Sequence, residues 1–300
     1  MGVVRFELDD DLHIQAYGAV YGVEYTVRED GLEMGLTFDR YNRRLKLRYV
    51  KGEFGRACAK LQRLAEANGF DKITAKVKRA DLGEFLGRGY KLEGIIPHFF
   101  RGQDAYVVSH FLSEDRFSYD RFLEESEILR KISSVPKRRA PVVLPRGYSL
   151  EVANFVDIPD LVSLYSATFE TYPVPLATPD YILATMSSNV RYVLSRNPDG
   201  RIVSAASADI DFNNANAELT DCATIPEEQG RGLMLNLLSH LEEVLKSLGI
   251  FCAYSMARAQ APGMNRVFYN LGYGHYGRLI NNCDISGSFE DINLWGKSLS

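Results

Sequence analysis

No stretch of this chain is long and apolar enough to suggest a membrane-spanning helix. The longest segment free of Asp, Glu, Lys and Arg, Leu12–Val23, has twelve residues, against the ~18 that a span requires. The opening MGVVRFELDD lacks a basic region followed by an apolar run, so no secretory leader is expected, and the cytoplasm is the expected location. Cysteine is sparse. Cys58, Cys222, Cys252 and Cys283 are dispersed, with no Cys-x-x-Cys and no histidines at ligand spacing, so neither a metal site nor a disulfide framework is predicted. They read as reduced, mostly buried thiols. Charge of one sign is also lacking. Thirty-five basic and 39 acidic residues are interspersed and leave a net charge of −4, which argues against nucleic acid as a partner. Gly and Pro, at 24 and 11, stay at average usage and exclude collagenous and low-complexity classes.

What remains is a soluble chain of 300 residues, 46% hydrophobic, long enough for two units. Pro136, Pro141 and Pro145 surround Lys137-Arg138-Arg139 within Ser133–Gly147. That composition cannot hold a helix and predicts an exposed linker at 133–147 between domains at 1–132 and 148–300. Its basic triplet reads as solvated charge. Upstream, Phe117, Phe122, Leu129 and Ile132 recur at roughly helical spacing.

Downstream, Tyr148–Ala153 reads as a strand, and Asp157–Phe169 as a helix with Asp157 as N-cap and Pro159 in its first turn. Tyr181–Ser187 is a short helix. Arg191–Arg196 and Ile202–Asp209 form a hairpin about Asn197-Pro198-Asp199-Gly200. The strand Ala217–Thr224 then leads into a glycine turn at Gly230–Gly232. From there Leu233, Met234, Leu237, Leu238, Leu241, Val244, Leu245 and Leu248 repeat at helical spacing, up to Gly249. Ile250–Met256 is a buried strand, Met264–Leu271 a short helix, and Tyr276–Asn281 and Asp291–Trp295 close the pattern. The class is α/β or α+β with a mixed sheet.

The first half echoes the second. Leu61, Leu64, Ala65 and Gly69-Phe70 match Leu241, Val244, Leu245 and Gly249-Ile250 at an offset of 180. Phe85, Gly89-Tyr90 and Gly94 match Phe268, Gly272-Tyr273 and Gly277 at 183. The stretch equivalent to Gln229–Met234 is Tyr49-Val50-Lys51-Gly52-Glu53-Phe54. It keeps one turn glycine of two, so the N-terminal copy is degenerate.

Glycines between a strand and a helix let the backbone approach a ligand, and the free N–H groups of the first helical turn then point at it. The turn is a candidate pyrophosphate cradle. It is neither a Walker loop nor a dinucleotide fingerprint, since no Gly-Lys-Ser/Thr and no third glycine follow. The run Glu218-Leu-Thr-Asp-Cys-Ala-Thr-Ile-Pro-Glu-Glu-Gln-Gly-Arg-Gly-Leu-Met234, with Phe268-Tyr-Asn-Leu-Gly-Tyr273, resembles the acetyl-CoA-binding core of the GNAT N-acetyltransferases. The family signature lands on Gln229, Gly232 and Met234, the last position departing from the usual Gly or Ala. The resemblance implies an acyl-CoA N-acyltransferase fold over 148–300, preceded by a degenerate acetyltransferase-like half, with acetyl-CoA as co-substrate. It implies that main-chain groups of Ala223, Thr224 and Ile225 pair with the pantetheine arm. The amides of Gly230, Arg231, Gly232 and Leu233 would hold the pyrophosphate, and Asn265 is a further cofactor candidate, or else a helix cap.

Thr220-Asp221-Cys-Ala-Thr224, Ile280-Asn281-Asn282, Gly287-Ser-Phe-Glu-Asp291 and Ile96-Pro-His-Phe-Phe-Arg-Gly-Gln-Asp-Ala-Tyr106 narrow the resemblance to the β-lysine N-acetyltransferases. Their product, N6-acetyl-β-lysine, is a compatible solute used in osmoadaptation. Acetyl transfer to another small amine, or a CoA-binding module without catalysis, are the other readings.

Transfer needs a group that takes a proton from an ammonium, and a carboxylate serves. Glu218, eleven residues before Gln229, stands where the resemblance places a glutamate base. Asp221 falls on the opposite face of an unbulged strand, so only one of the two should face the cleft unless a bulge intervenes. Asp221 and Glu290 are candidates to bind the substrate amine, and Phe99 and Phe100 to enclose it. The family's usual general-acid tyrosine is replaced by Phe268, with Tyr269 as a displaced candidate.

Overall fold

The computed structural model describes residues 3–9, 12–17, 22–137, 143–170, 172, 174–285 and 287–299. Arg138, Arg139 and Pro141 of the expected linker lie outside these residues.

The chain forms two compact units, neither contiguous in sequence. The first takes Met1–Ile95, Ala105–Asp120 and Arg278–Asp291, and the second Ile96–Asp104, Arg121–Gly277 and Ile292–Ser300. In chain order the elements are β1 (Val3–Asp9), β2 (Leu12–Tyr17), β3 (Val23–Glu29), β4 (Leu32–Asp39), β5 (Arg44–Gly52), α1 (Phe54–Ala67), β6 (Lys72–Val77), α2 (Arg79–Gly87), β7 (Lys91–Phe100), β8 (Gln103–Phe111) and α3 (Phe122–Ser134). Then come β9 (Ser149–Val152), α4 (Ile158–Thr168), α5 (Pro179–Met186), β10 (Val190–Arg196), β11 (Ile202–Asp211), β12 (Asn216–Thr224), α6 (Leu233–Ser247), β13 (Cys252–Arg258), α7 (Pro262–Asn270), β14 (Gly274–Ile285) and β15 (Ser288–Ser298). Strands β7, β8, β14 and β15 each change unit along their length. Each unit therefore includes a hairpin from the other half of the sequence.

In the first unit the strands run β3-β4-β5-β6-β8, with β5 and β6 parallel and the other pairs antiparallel. The α1 helix connects the parallel pair and buries Ala57, Leu61, Leu64 and Ala65, the same spacing that revealed the repeat. Charged side chains hold the borrowed segment, which also buries Leu279 and Ile280. Lys72 Nζ donates to Ile280 O at 2.8 Å, Ile280 N donates to Glu93 Oε1 at 2.6 Å, and Arg44 donates to Asn282 O at 3.0 Å. The Arg116 guanidinium lies 3.6 Å from the Phe289 ring centroid.

The second unit repeats this plan with the order β9-β10-β11-β12-β13-β15 and one parallel pair, β12–β13, joined by α6. On one face of its sheet Met234, Leu237, Leu238 and Leu241 of α6 pack on Val193, Ala206, Ala217 and Leu219. On the other, Leu161, Leu164 and Tyr165 of α4 pack on Tyr192, Leu194, Ala205 and Ala223. Asp157 is the N-cap of α4, but its carboxylate accepts from Asn154 N and pairs with Arg196 instead of capping that helix.

In the N-terminal copy the one remaining turn glycine meets the neighbouring strand turn closely. Gly52 stands at φ +112°, and a Cβ there would lie 2.0 Å from Gly31 O of the β3–β4 turn. The bulge that β5 shares with β12 carries Arg48, paired with Glu24 at 2.7 Å, so this copy presents no free carboxylate at that position.

Candidate active site

The site is built on β12. Asp209 of β11 pairs with Glu218 and Ser207 with Thr220, but Ala205 pairs with Ala223, so Asp221 and Cys222 together face one residue. This is a β-bulge, with Asp221 in the left-handed region at φ 51°, a conformation Asp tolerates better than most residues. Its consequence is a change of face. Ala217 and Leu219 point to α6, Glu218 and Thr220 to the α4 side, and the extra residue turns Asp221 to the α4 side as well, where Ser207 Oγ donates to its Oδ2 at 2.5 Å. Cys222 packs against the α6 core, and burial pushes its thiol up, which leaves it inert.

The condition set by strand alternation is thus met, and both carboxylates share a face. Asp221 is buried. Burial raises its carboxyl to about 6, against the lowering effect of hydrogen bonds from Ser207 and Tyr172, with the charges of Glu218 and Asp209 adding to the rise. Glu218 is half-buried and accepts from Tyr254 of β13, whose phenol burial holds well above the usual tyrosine range. Among the described residues neither Glu218 nor Asp221 forms an ion pair. An uncompensated pair of carboxylates favours a cation.

Beyond Glu218 and Tyr254 the parallel ladder between β12 and β13 ends, and the two strands diverge. Ile225 N donates to Val203 O at 3.0 Å, so by alternation Ala223 and Ile225 turn their main-chain groups to β11 and Thr224 turns its own to the opened edge. Of the three residues expected to pair with a pantetheine arm, Thr224 is the one so directed. Its carbonyl accepts from Gln229 Nε2 at 3.3 Å, which ties the turn to the strand.

Both turn glycines have φ 78°, and a Cβ on Gly230 would meet nothing within 4 Å. Gly232 is the N-cap of α6, and no side chain caps the helix. Leu233 is buried in the α4-side core and Met234 in the α6-side core, so consecutive side chains fix the turn from both faces while the first-turn amides stay open. Glu228 accepts from Tyr148 Oη at 2.7 Å and pairs with Arg231 at 2.9 Å, holding a guanidinium beside the turn. These features fit a pyrophosphate.

Asn265 does not cap its helix: the N-cap of α7 is Ala261, with no side-chain hydrogen bond. Its Nδ2 donates to Arg258 O and Ala261 O, both at 2.8 Å, and its Oδ1 accepts from Asn293 Nδ2 at 2.9 Å and Trp295 Nε1 at 2.8 Å. The amide has no capacity left for a cofactor. Phe268 is core, 5.2 Å from the Tyr273 ring. Tyr269, the displaced-acid candidate, donates to Ser133 O at 3.2 Å. Phe99 is buried 5.5 Å from the Tyr254 ring and 4.8 Å from the half-buried Phe100, so it buttresses the tyrosine that holds Glu218. Glu290, the other candidate to bind the amine, is buried on the part of β15 that folds with the first unit. Sequence reasoning missed Ser207, Tyr165, Tyr172, Asp209 and Tyr254. The register of β11 against β12 brings Ser207 and Asp209 to Asp221, and the packing of α4 and the segment after it brings Tyr165 and Tyr172; no local motif signals either.

Residues 158–273 match the acetyltransferase (GNAT) family. The chain is 38% identical to the β-lysine N(6)-acetyltransferase of Methanosarcina mazei over 83% of its length and 98% of the relative's. It is 34% identical to the N-acetyltransferase YodP of Bacillus subtilis over 91% and 99%. With the β-lysine N(6)-acetyltransferase of Methanococcus maripaludis it shares 35% over 75% and 82%.

Proposed function

The chain belongs to the GNAT acetyltransferase family and is an N-acetyltransferase, and we propose that its acceptor is the ε-amine of β-lysine, giving N6-acetyl-β-lysine. Two relatives of that name, at 38% and 35% identity over most of the chain, support this acceptor. The observation that carries the chemistry is the bulge at Asp221, which turns two carboxylates to one face beside an open helix N-terminus.

The amides of Gly230, Arg231, Gly232 and Leu233 hold the pyrophosphate of acetyl-CoA, and Thr224 offers its main chain to the pantetheine. Glu218 attracts the ammonium. Asp221 takes its proton, because a carboxyl near 6 is poised to accept at neutral pH. Bound acetyl-CoA supplies a thioester carbonyl: the amine lone pair forms the C–N bond, the C–S bond breaks, and the thiol leaves with the second amine proton. A thiolate, of ordinary pKa ~8.5, is a good enough leaving group to dispense with a dedicated acid, which fits Phe268 in the acid's usual place.

Acetyl transfer to β-lysine and α-lysine, read by product mass and kcat/KM, tests the assignment. Preference for β-lysine is expected. Preference for α-lysine or another amine removes the β-lysine assignment.

A further inference from the structure

Tyr165 of α4 is fully enclosed, yet its Oη meets no hydrogen-bond partner among the described residues. A phenylalanine would fill the same space without burying an unpaired hydroxyl. The neighbouring tyrosines are satisfied: Tyr172 hydrogen-bonds Asp221 and Thr220, and Tyr192 Oη bonds Thr185 Oγ1 at 2.9 Å. After burial itself, the charge of Asp221 is the strongest influence on the Tyr165 phenol. Tyr165 also packs in one cluster with Ala205 and Ala223, the pair that flanks the bulge, on the face to which Asp221 turns, so the unpaired oxygen belongs to the surroundings of the proton acceptor.

We propose that Tyr165 Oη is a specificity-determining contact, accepting one N–H of the acceptor's reacting amine beside Asp221. This rests on the reading of Asp221 as the group that faces the acceptor. An alkylammonium brings three donors and no acceptor. A carboxylate holds it well while both are charged, but once the proton has moved to Asp221 the attraction between charges is gone. The neutral amine still carries two N–H groups. A phenol oxygen accepts from the ammonium and, more weakly, from the neutral amine, and so holds the amine through deprotonation. Burial and Asp221 keep the Tyr165 phenol well above its ordinary range, so it stays a neutral hydroxyl at every working pH.

Tyr165→Phe tests this with readouts that a structural role would not move. The variant should melt no lower than the parent, since the oxygen it removes has no partner in the protein. By calorimetry, CoA should bind it within about twofold of the parent. Titration of β-lysine into the CoA complex should weaken about tenfold or more, and KM for the amine should rise in parallel with a smaller change in kcat. A charge-assisted hydrogen bond supports a change of that size. An unchanged amine affinity, or a melting temperature lowered by several degrees, overturns the proposal. Should the parent enzyme acetylate no lysine isomer, the acceptor reading fails first, and the two failures are distinguishable.

Discussion

Asp221 accepts a hydrogen bond from Ser207 Oγ at 2.5 Å, although alternation along an unbulged β12 would turn the two side chains to opposite faces of the sheet. The bulge makes the contact, and the contact buries the carboxylate beside Glu218. The roles of the two acids follow from that difference in environment.

Asp221→Asn should lower kcat by about 10²–10⁴-fold, the range for loss of a general base. It should also abolish the acid limb of the pH–rate profile near the carboxyl's value of about 6. Glu218→Gln should keep that limb and raise the amine KM instead. A Glu218→Gln profile without the limb would transfer the base role to Glu218.

Stability should show the same carboxyl with opposite sign. Its folded-state value, raised from 3.8 to about 6, means that the folded chain holds this proton more tightly than the unfolded chain does. That contribution is fully present below the unfolded value and is lost as pH rises through 6. Asp221→Asn should therefore leave stability nearly unchanged at pH 4 and raise it at pH 7 to 8. At 1.36 kcal/mol per unit the gain is at most ~3 kcal/mol. Urea unfolding of both proteins across this range measures it, and equal differences at pH 4 and pH 8 would refute it.

Calorimetry with CoA should give one site per chain, because Gly31 O occupies the approach to Gly52 in the N-terminal copy. Gly232→Asp should weaken that site about 100-fold or more. It places a side chain at φ 78° and a negative charge at the positive end of α6. Two equivalents on the parent, or unchanged affinity in a folded variant, would contradict the cradle assignment.

A fragment spanning Arg146–Ser300 should not fold to an active unit. It lacks Phe99, whose carbonyl accepts from Asn216 Nδ2 at 2.9 Å and whose ring packs on Tyr254, and Pro97, whose carbonyl accepts from Cys252 at 3.2 Å. It also lacks Ile132, whose carbonyl accepts from Arg266 at 2.7 Å. Circular dichroism and kcat/KM on the fragment decide the matter, and full activity would show these contacts to be dispensable.

Local pattern in the sequence determined the α6 helix, the glycine turn before it, the β10–β11 hairpin and the degenerate copy in the first half, because spacing, turn residues and backbone freedom act within a few residues of chain. It also placed Glu218 and Asp221 on one strand. Whether they could act together was set by tertiary structure, since a bulge is a property of two registers and β11 is read as part of it only once paired. The same holds for Asn265, whose four hydrogen-bond partners come from β13, the loop before α7 and β15, and for Phe99, which the partition of β7 between two units delivers to Tyr254. A buried polar group is defined by its partners, and those partners come together only when the sheet forms.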